Sequence, residues 1–447
     1  MKIKIALSIL VFTFFSKLSG QNCIQITPSN FATINSDINS LSTNGGGCIE
    51  ITPGEYDFNT LFFYINSEGE KVPKKIELKD NIVIRNYGKL YSTWIVFYIS
   101  NAKNISIIGD KLGVIEDPNG QNNGNKGILI TDSNNINITG LNINNFKNKG
   151  IEVVHSTNIT IRDNKITGSN SNTGAGIAIT DGGKVSNGNY KHGSSLCDVS
   201  SNFVSNSRIG ITANRSFEVI VNNNIVINNS ICGIALDGSV DGEVNGVNLD
   251  YGTGSQNCII SNNIVKNNAN SDIEICYVDV ADIDNDGDTN EIIPGFRQDY
   301  SGIYIGNGAQ KNMITNNFVK NNYYGISYFE EENFTSTQTS YNNTISNNQV
   351  IMNKWVGIKL TRTKSAIVTS NQVISNTLAG IQVHDANISN YTIRNNHLTL
   401  NGEYGFFCSG CQNENLAVLS SFNVLTGHTV KDIESLGKEY QNSVLCD

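Results

Sequence analysis

Short runs in which apolar and polar residues alternate recur along most of the chain. Gly127-Ile-Leu-Ile, Gly150-Ile-Glu-Val, Gly176-Ile-Ala-Ile, Gly210-Ile-Thr-Ala and Gly233-Ile-Ala-Leu form the first half of the series. Gly302-Ile-Tyr-Ile, Gly325-Ile-Ser-Tyr, Gly357-Ile-Lys-Leu, Gly380-Ile-Gln-Val and Gly405-Phe-Phe form the second. A period of two turns one face of each run inward, so each is a strand. Several neighbouring glycines stand 23 residues apart: 127 and 150, 210 and 233, 302 and 325, 357 and 380. The other gaps hold insertions.

A second pattern lies between these runs. Ile259-Ile-Ser-Asn-Asn-Ile-Val, Ile314-Thr-Asn-Asn-Phe-Val, Ile345-Ser-Asn-Asn-Gln-Val, Val368-Thr-Ser-Asn-Gln-Val and Ile393-Arg-Asn-Asn-His-Leu share it. Each reads as strand, polar Asn corner, strand. A unit this short cannot bury its own apolar face, so units must stack and share a column of Ile and Val. Asn suits the corners because it tolerates unusual backbone angles and bonds nearby backbone. Stacked identical corners can also bond one another in a ladder. This accounts for triplets such as Asn104-Ile-Ser, Asn137-Ile-Thr and Asn158-Ile-Thr. Glycosylation is the competing reading of those triplets.

The ends depart from the repeat. Phe31, Ile34, Ile38 and Leu41 have helical spacing and predict a capping helix over the first coil. The tail, about 426–447, loses the pattern and reads as the opposite cap. Ahead of both, Lys2 and Lys4, an apolar run from Ile5 to Phe15, and Ser16 to Gly20 make residues 1–20 a secretory signal. The expectation is one domain over 21–447, secreted or periplasmic, without a membrane anchor and monomeric.

Composition narrows the function. The chain carries 31 basic and 40 acidic residues, and the three lysines of the leader leave the remainder more acidic still. That argues against nucleic-acid binding. It does not exclude an anionic sugar, because the field in a cleft can differ from the net charge. Nine cysteines in an exported chain suggest some disulfides. Cys23 with Cys48 and Cys408 with Cys411 are candidate bridges. Cys197, Cys232, Cys258 and Cys276 read as small buried hydrophobes.

The opening Gly45-Gly-Gly-Cys-Ile-Glu-Ile-Thr-Pro-Gly-Glu-Tyr and the Gly-Ile-x-Ile and Asn-Asn coils resemble the pectate-lyase-like superfamily of right-handed parallel β-helices. The resemblance covers residues 30 to 425. It implies an all-β, single-stranded right-handed parallel β-helix solenoid of roughly 10–12 coils with an N-terminal capping helix. That superfamily holds polysaccharide lyases, glycoside hydrolases, epimerases, helper proteins and adhesins, so fold leaves the reaction open. The paired-Asp, Gly-His-Gly and Arg-x-Lys motifs of polygalacturonases are missing, as is the Asp-Pro-His motif of alginate epimerases. A convincing pectate-lyase calcium set is also missing.

The resemblance implies a ligand along the Gly-Ile-x-Ile sheet. There, residues one and three places after Gly point inward, and those two and four places after it point outward. The outward set includes Glu152, Thr212, Asn214, Asp237, Tyr304, Ser327, Lys359, Thr361, Gln382 and His384. Asp181, Arg215, Glu330 and Arg362 lie just beyond strand ends. Insertions from Gly182 to Asp198, Gly238 to Gln256, Ala269 to Tyr300 and Phe329 to Tyr341 border the same sheet and read as cleft walls.

Three functions fit this face. The first is β-elimination, of lyase or dehydratase type, on uronic-acid-containing polysaccharide or oligosaccharide. Lys359 or His384 would be the base and Arg362 would neutralise the carboxylate. Tyr304 or Tyr328 would help the leaving group, with Asn214, Arg215 and Glu330 binding substrate. The second is glycoside hydrolysis by Asp181 and Asp237, two coils and roughly 10 Å apart, with Glu330 as a further acid. The third is a non-catalytic glycan-binding surface protein. A separate feature is Asp282-Ile-Asp284-Asn-Asp286-Gly-Asp288-Thr-Asn290-Glu291. Alternating oxygens around a Gly turn suit Ca2+ as a structural ion. The acid usual at position twelve is replaced by Ile293.

Overall fold

The structure, a computed structural model, describes residues 23–118, 125–168, 174–180, 193–237, 254–269, 276–280, 291–295, 300–306, 308–329, 341–361, 363, 365–384, 391–409, 423–429 and 431–436. Residues 1–20, the expected signal, lie outside that set. Among the described residues no helix is long and apolar enough to cross a membrane.

Three long sheets of thirteen strands each run the length of the molecule, and every pairing within them is parallel. One coil visits all three. Ile209–Asn214 lies in the third sheet, Ile220–Asn222 in the first and Ile225–Ile227 in the second. Cys232–Asp237 then returns to the third beside Ile209–Asn214. This is a right-handed parallel β-helix.

The sheets hold more strands than the expected number of coils. The Gly-Ile signature begins at Gly127, yet Ile76–Leu78 and Ile95–Ser100 already belong to the third sheet. Those early coils bury Ile, Val and Phe without the glycine, so the motif undercounts them. The tail also departs from its expected role. Lys431–Leu436 pairs in parallel with Tyr404–Ser409 and extends the third sheet.

The core is a set of register columns. Ile128, Ile151, Ile177, Ile211, Ile234, Ile303, Ile326, Ile358 and Ile381 stack one per coil, all buried. The glycine before each Ile has a spatial reason. A methyl on Gly325 would lie 2.4 Å from the carbonyl oxygen of Gly357 and from Val350 Cγ1. Helix α1 (Ile34–Thr43) closes the N-terminal end as its spacing predicts, with Ile34, Ile38 and the preceding Phe31 buried. Phe31 packs at 4.9 Å from Tyr56 and 5.2 Å from Phe58.

The corners form ladders. Asn164, Asn202, Asn224, Asn263, Asn317, Asn348, Asn371, Asn396 and Asn423 each accept from the backbone N–H and side-chain amide of the Asn one coil before, where there is one. A second ladder joins Asn229, Asn268, Asn322, Asn353, Asn376 and Asn401. The residue ahead of many ladder members sits at positive φ, for example Asn262 at 56° and Asn316 at 57°. Asn is one of the few residues with a side chain that take this conformation readily. In the Asn104 and Asn158 triplets the side-chain amides donate to Asn81 and Asn135, and Asn137 donates to Ser106.

Cys23 and Cys48 form a disulfide, and Cys197, Cys232 and Cys258 are buried, as expected. Cys408 is disulfide-bonded. Cys411 lies outside the described residues, and so does the side chain of Cys276.

The two Asn roles separate by mutation. Asn317→Ala leaves several buried groups of its neighbours unpaired, and should lower unfolding stability by about 3 kcal/mol. Asn262→Gly keeps the left-handed backbone accessible, and should change stability by less than about 0.5 kcal/mol. Urea unfolding of both variants measures the contrast.

Candidate active site

The outer face of the third sheet is richer than strict alternation predicts. Because the chain bends at each glycine, the residue just before it also faces outward. Lys126 and Lys149, which precede Gly127 and Gly150, both pair with Glu152, two places after Gly150. Glu152 keeps a lowered pKa there because the two ammonium groups outweigh the opposing effect of burial. The same geometry operates at Tyr324, just before Gly325.

Lys359 occupies the outward position of Val356–Thr361. Its Nζ donates to Tyr324 Oη at 3.2 Å and lies 4.5 Å from the centre of that ring. Only 8% of Lys359 is exposed. Among the described residues no carboxylate pairs with it. Burial alone lowers its pKa to about 7. Tyr324 moves the other way, pushed well above 10 by burial and then by Tyr323. A lysine that can be neutral near pH 7 therefore touches a tyrosine that keeps its proton.

The neighbours of Lys359 are polar and unsatisfied. Ser327 stands beside it on the preceding coil and Gln382 on the following one. Thr361 follows it by two residues on the same strand. Ser327 is 0% exposed and Thr361 1%. Among the described residues, Ser327 Oγ, Thr361 Oγ1 and Gln382 Oε1 have no hydrogen-bond partner. A buried polar group left unpaired costs about 1–3 kcal/mol, so three around one lysine call for a functional reason.

An apolar floor surrounds them. Tyr300, Tyr304, Tyr323, Tyr324 and Phe329 form an outer cluster separate from the core, with Trp355, Tyr404 and Phe407 packed against it. Tyr323 meets Tyr324 edge to face at 4.8 Å and stacks on Trp355 at 6.5 Å. Its hydroxyl is pushed up to about 12 by burial.

The expected site residues fall into two groups. Lys359 and His384 lie on adjacent strands of one face, since Thr361 pairs with His384. The His384 side chain lies outside the described residues, as does Arg362. Asp237 is three coils from Lys359, about 14 Å. Asn214 pairs with Asp237. Arg215 follows it, buried, with its backbone N–H on the Asp237 carbonyl at 3.0 Å. The structure thus separates Asp237, Asn214 and Arg215 from Lys359. Tyr304 lies between the groups, two coils from Lys359 and in register with Ala235. Tyr328 is not on this face: it is fully buried in the core, with its hydroxyl 3.4 Å from the Ser365 carbonyl. It stands three places after Gly325, an inward position. Asp181 and Glu330 lie outside the described residues.

So do Asp282, Asp284, Asp286, Asp288 and Asn290. They fall between the paired strands Cys276–Val280 and Glu291–Gly295.

Tyr324 escaped the sequence reading because alternation placed its column inward. Reading the position before each glycine, through Lys149, Cys232, Tyr324 and Tyr404, would have found it.

Comparison with known proteins agrees with this fold. The profile described as "Right handed beta helix region" matches residues 245–430. The profile "Protein of unknown function (DUF1565)" matches residues 23–283, more than half of the chain. No curated protein matches by sequence. Among solved structures, the tailspike protein of E. coli bacteriophage HK620 in complex with a pentasaccharide has a TM-score of 0.51 at 12% identity, over 91% of this chain and 74% of that one. The catalytic domain of a GH87 alpha-1,3-glucanase in complex with nigerose has a TM-score of 0.51 at 13% identity, over 83% and 68%. The Azotobacter vinelandii mannuronan C-5 epimerase AlgE4 A-module has a TM-score of 0.48 at 11% identity, over 94% and 97%. At their identities the tailspike and glucanase likenesses show the fold alone.

Burying Lys359 should cost stability. Its folded pKa of about 7 lies below its ordinary 10.5, so the penalty is full below pH 7 and fades between pH 7 and 10.5. Lys359→Met should therefore raise the urea midpoint at pH 6, with the gain shrinking towards pH 10. An unchanged or lowered midpoint at pH 6 would contradict the buried, unpaired amine.

Proposed function

The chain belongs to the family described as "Protein of unknown function (DUF1565)", and on that premise we propose that it is a secreted carbohydrate-active enzyme performing β-elimination on uronic-acid-containing polysaccharide or oligosaccharide. The supporting observation is the contact between Lys359 and Tyr324, ringed by Ser327, Thr361 and Gln382. An amine with a pKa near the working pH is an effective general base. The lysine takes the proton from C5 of the uronate. A double bond forms between C4 and C5 as the C4–O4 bond breaks. Tyr324 gives its proton to the departing O4, and the ammonium of Lys359 returns one to Tyr324 across their hydrogen bond. Base and acid lie on one side of the sugar, which suits elimination of groups on the same face. Ser327, Thr361 and Gln382 line the buried side of this contact, and Arg362 is the candidate for the uronate carboxylate, with His384 alongside.

The hydrolase reading has less support. It needs two carboxylates flanking one bond, and Asp237 is remote from the polar cluster around Lys359. The same proposal includes Ca2+ as a structural ion in the loop of Asp282, Asp284, Asp286, Asp288 and Asn290, whose alternating oxygens suit a hard cation.

The test is incubation with alginate and chondroitin sulfate, following absorbance at roughly 232–235 nm, where the unsaturated product of general-base elimination absorbs. A rise is expected, and Lys359→Met should reduce it by at least about a hundredfold. Because the base acts deprotonated, kcat/KM should climb with pH and level off above about 7. New reducing ends without absorbance would replace elimination with hydrolysis, and neither signal would favour a glycan-binding protein. Separately, a calcium chelator should lower Tm by a few degrees, and Asp284→Ala should abolish that response.

A further inference from the structure

We propose that Tyr404 and Phe407 form a sugar-stacking subsite beyond Lys359, and that the site takes the end of a glycan chain rather than its middle. This rests on the reading of Lys359 as the reacting centre and adds the length and direction of the bound chain.

The argument starts from one register row. Ser327, Lys359, Gln382 and Phe407 follow one another on successive coils. Exposure changes abruptly along it. Ala235, Tyr304 and Ser327, on the coils before Lys359, are buried, although all three point away from the core. Gln382 and Phe407, on the coils after it, are half-exposed. The covered stretch therefore ends at Lys359, and the open direction is toward the C-terminal coils. A chain reaching Lys359 along this row has room on one side only. Ser327 stands on the closed side, one coil before Lys359, and Thr361 lies on the strand of Lys359 itself; both are buried.

The open side carries a platform. Tyr404 and Phe407 stack with ring centres 5.0 Å apart and planes 29° from parallel. Both are half-exposed, and they lie on the same strand. Phe407 is two coils from Lys359, about 10 Å. The two positions thus fall on one short oligosaccharide, with a sugar over Gln382 between them. Rigid aromatic faces suit the C–H face of a sugar ring, and ordering them costs little entropy.

The experiment uses the full chain and mannuronate oligomers from dimer to pentamer. With Lys359→Met, which cannot turn substrate over by this route, calorimetry should show the tetramer binding more tightly than the dimer. Adding Phe407→Ala should weaken the tetramer by roughly three- to tenfold and the dimer by less. The active enzyme should release short products of one size from polymer while viscosity falls slowly. Equal loss for both lengths, no preference for the tetramer, or an early ladder of mixed sizes would overturn the subsite or the end-on mode. Binding that depends on Phe407, with no unsaturated product from the active chain, would retain the subsite and reject elimination. Failure of every oligomer to bind would reject the subsite itself.

Discussion

Parallel stacking imposes one constraint on everything else in this molecule. Each coil must offer the next one the same hydrogen-bonding edges at about 4.8 Å. Insertions are tolerated only where they leave the strand register intact. The gaps between ladder partners show this directly. Asn263 and Asn317 are 54 residues apart in sequence, and Asn348 and Asn371 only 23, yet both pairs make the same two bonds at 3.0 Å. The ladders hold the corners while the Ile and Val columns fill the interior.

The same constraint organises the outer face. A residue type repeated at one position becomes a column, and a change at one position becomes a local site. Where Ala178 and Ala235 give way to Tyr304, Ser327 and Lys359, a bland row becomes a chemical one. The fold holds Lys359 against Tyr324 because neighbouring strands fix both backbones. Its cost is a buried amine and three unpaired polar atoms, which a rigid solenoid with many repeated contacts can sustain.

The column before each glycine shows how the two levels of description differ. By simple alternation Tyr324 and Tyr328 should both face inward. The glycine bend reverses Tyr324 alone, since the chain turns where Gly325 has no room for a side chain. The result leaves Tyr328 in the core and sets Tyr324 against Lys359. The carboxylates divide in a similar way. Asp237 and Lys359 share a face, yet the coils contributed by Ser301–Gly306 and Tyr324–Phe329 stand between them.

The sequence by itself determined the stacked coils, the Asn corners and the N-terminal helix. These are local or periodic properties, and the period survives any insertion. It also placed Lys359, Ser327, Thr361 and Gln382 on the outward face, because alternation is a property of a single strand. Only the tertiary structure decided that Lys359 is buried, that Tyr324 is its partner and that the face opens beyond Lys359. Burial and pairing depend on which coils become neighbours and what covers them, and those are contacts between segments far apart in the chain.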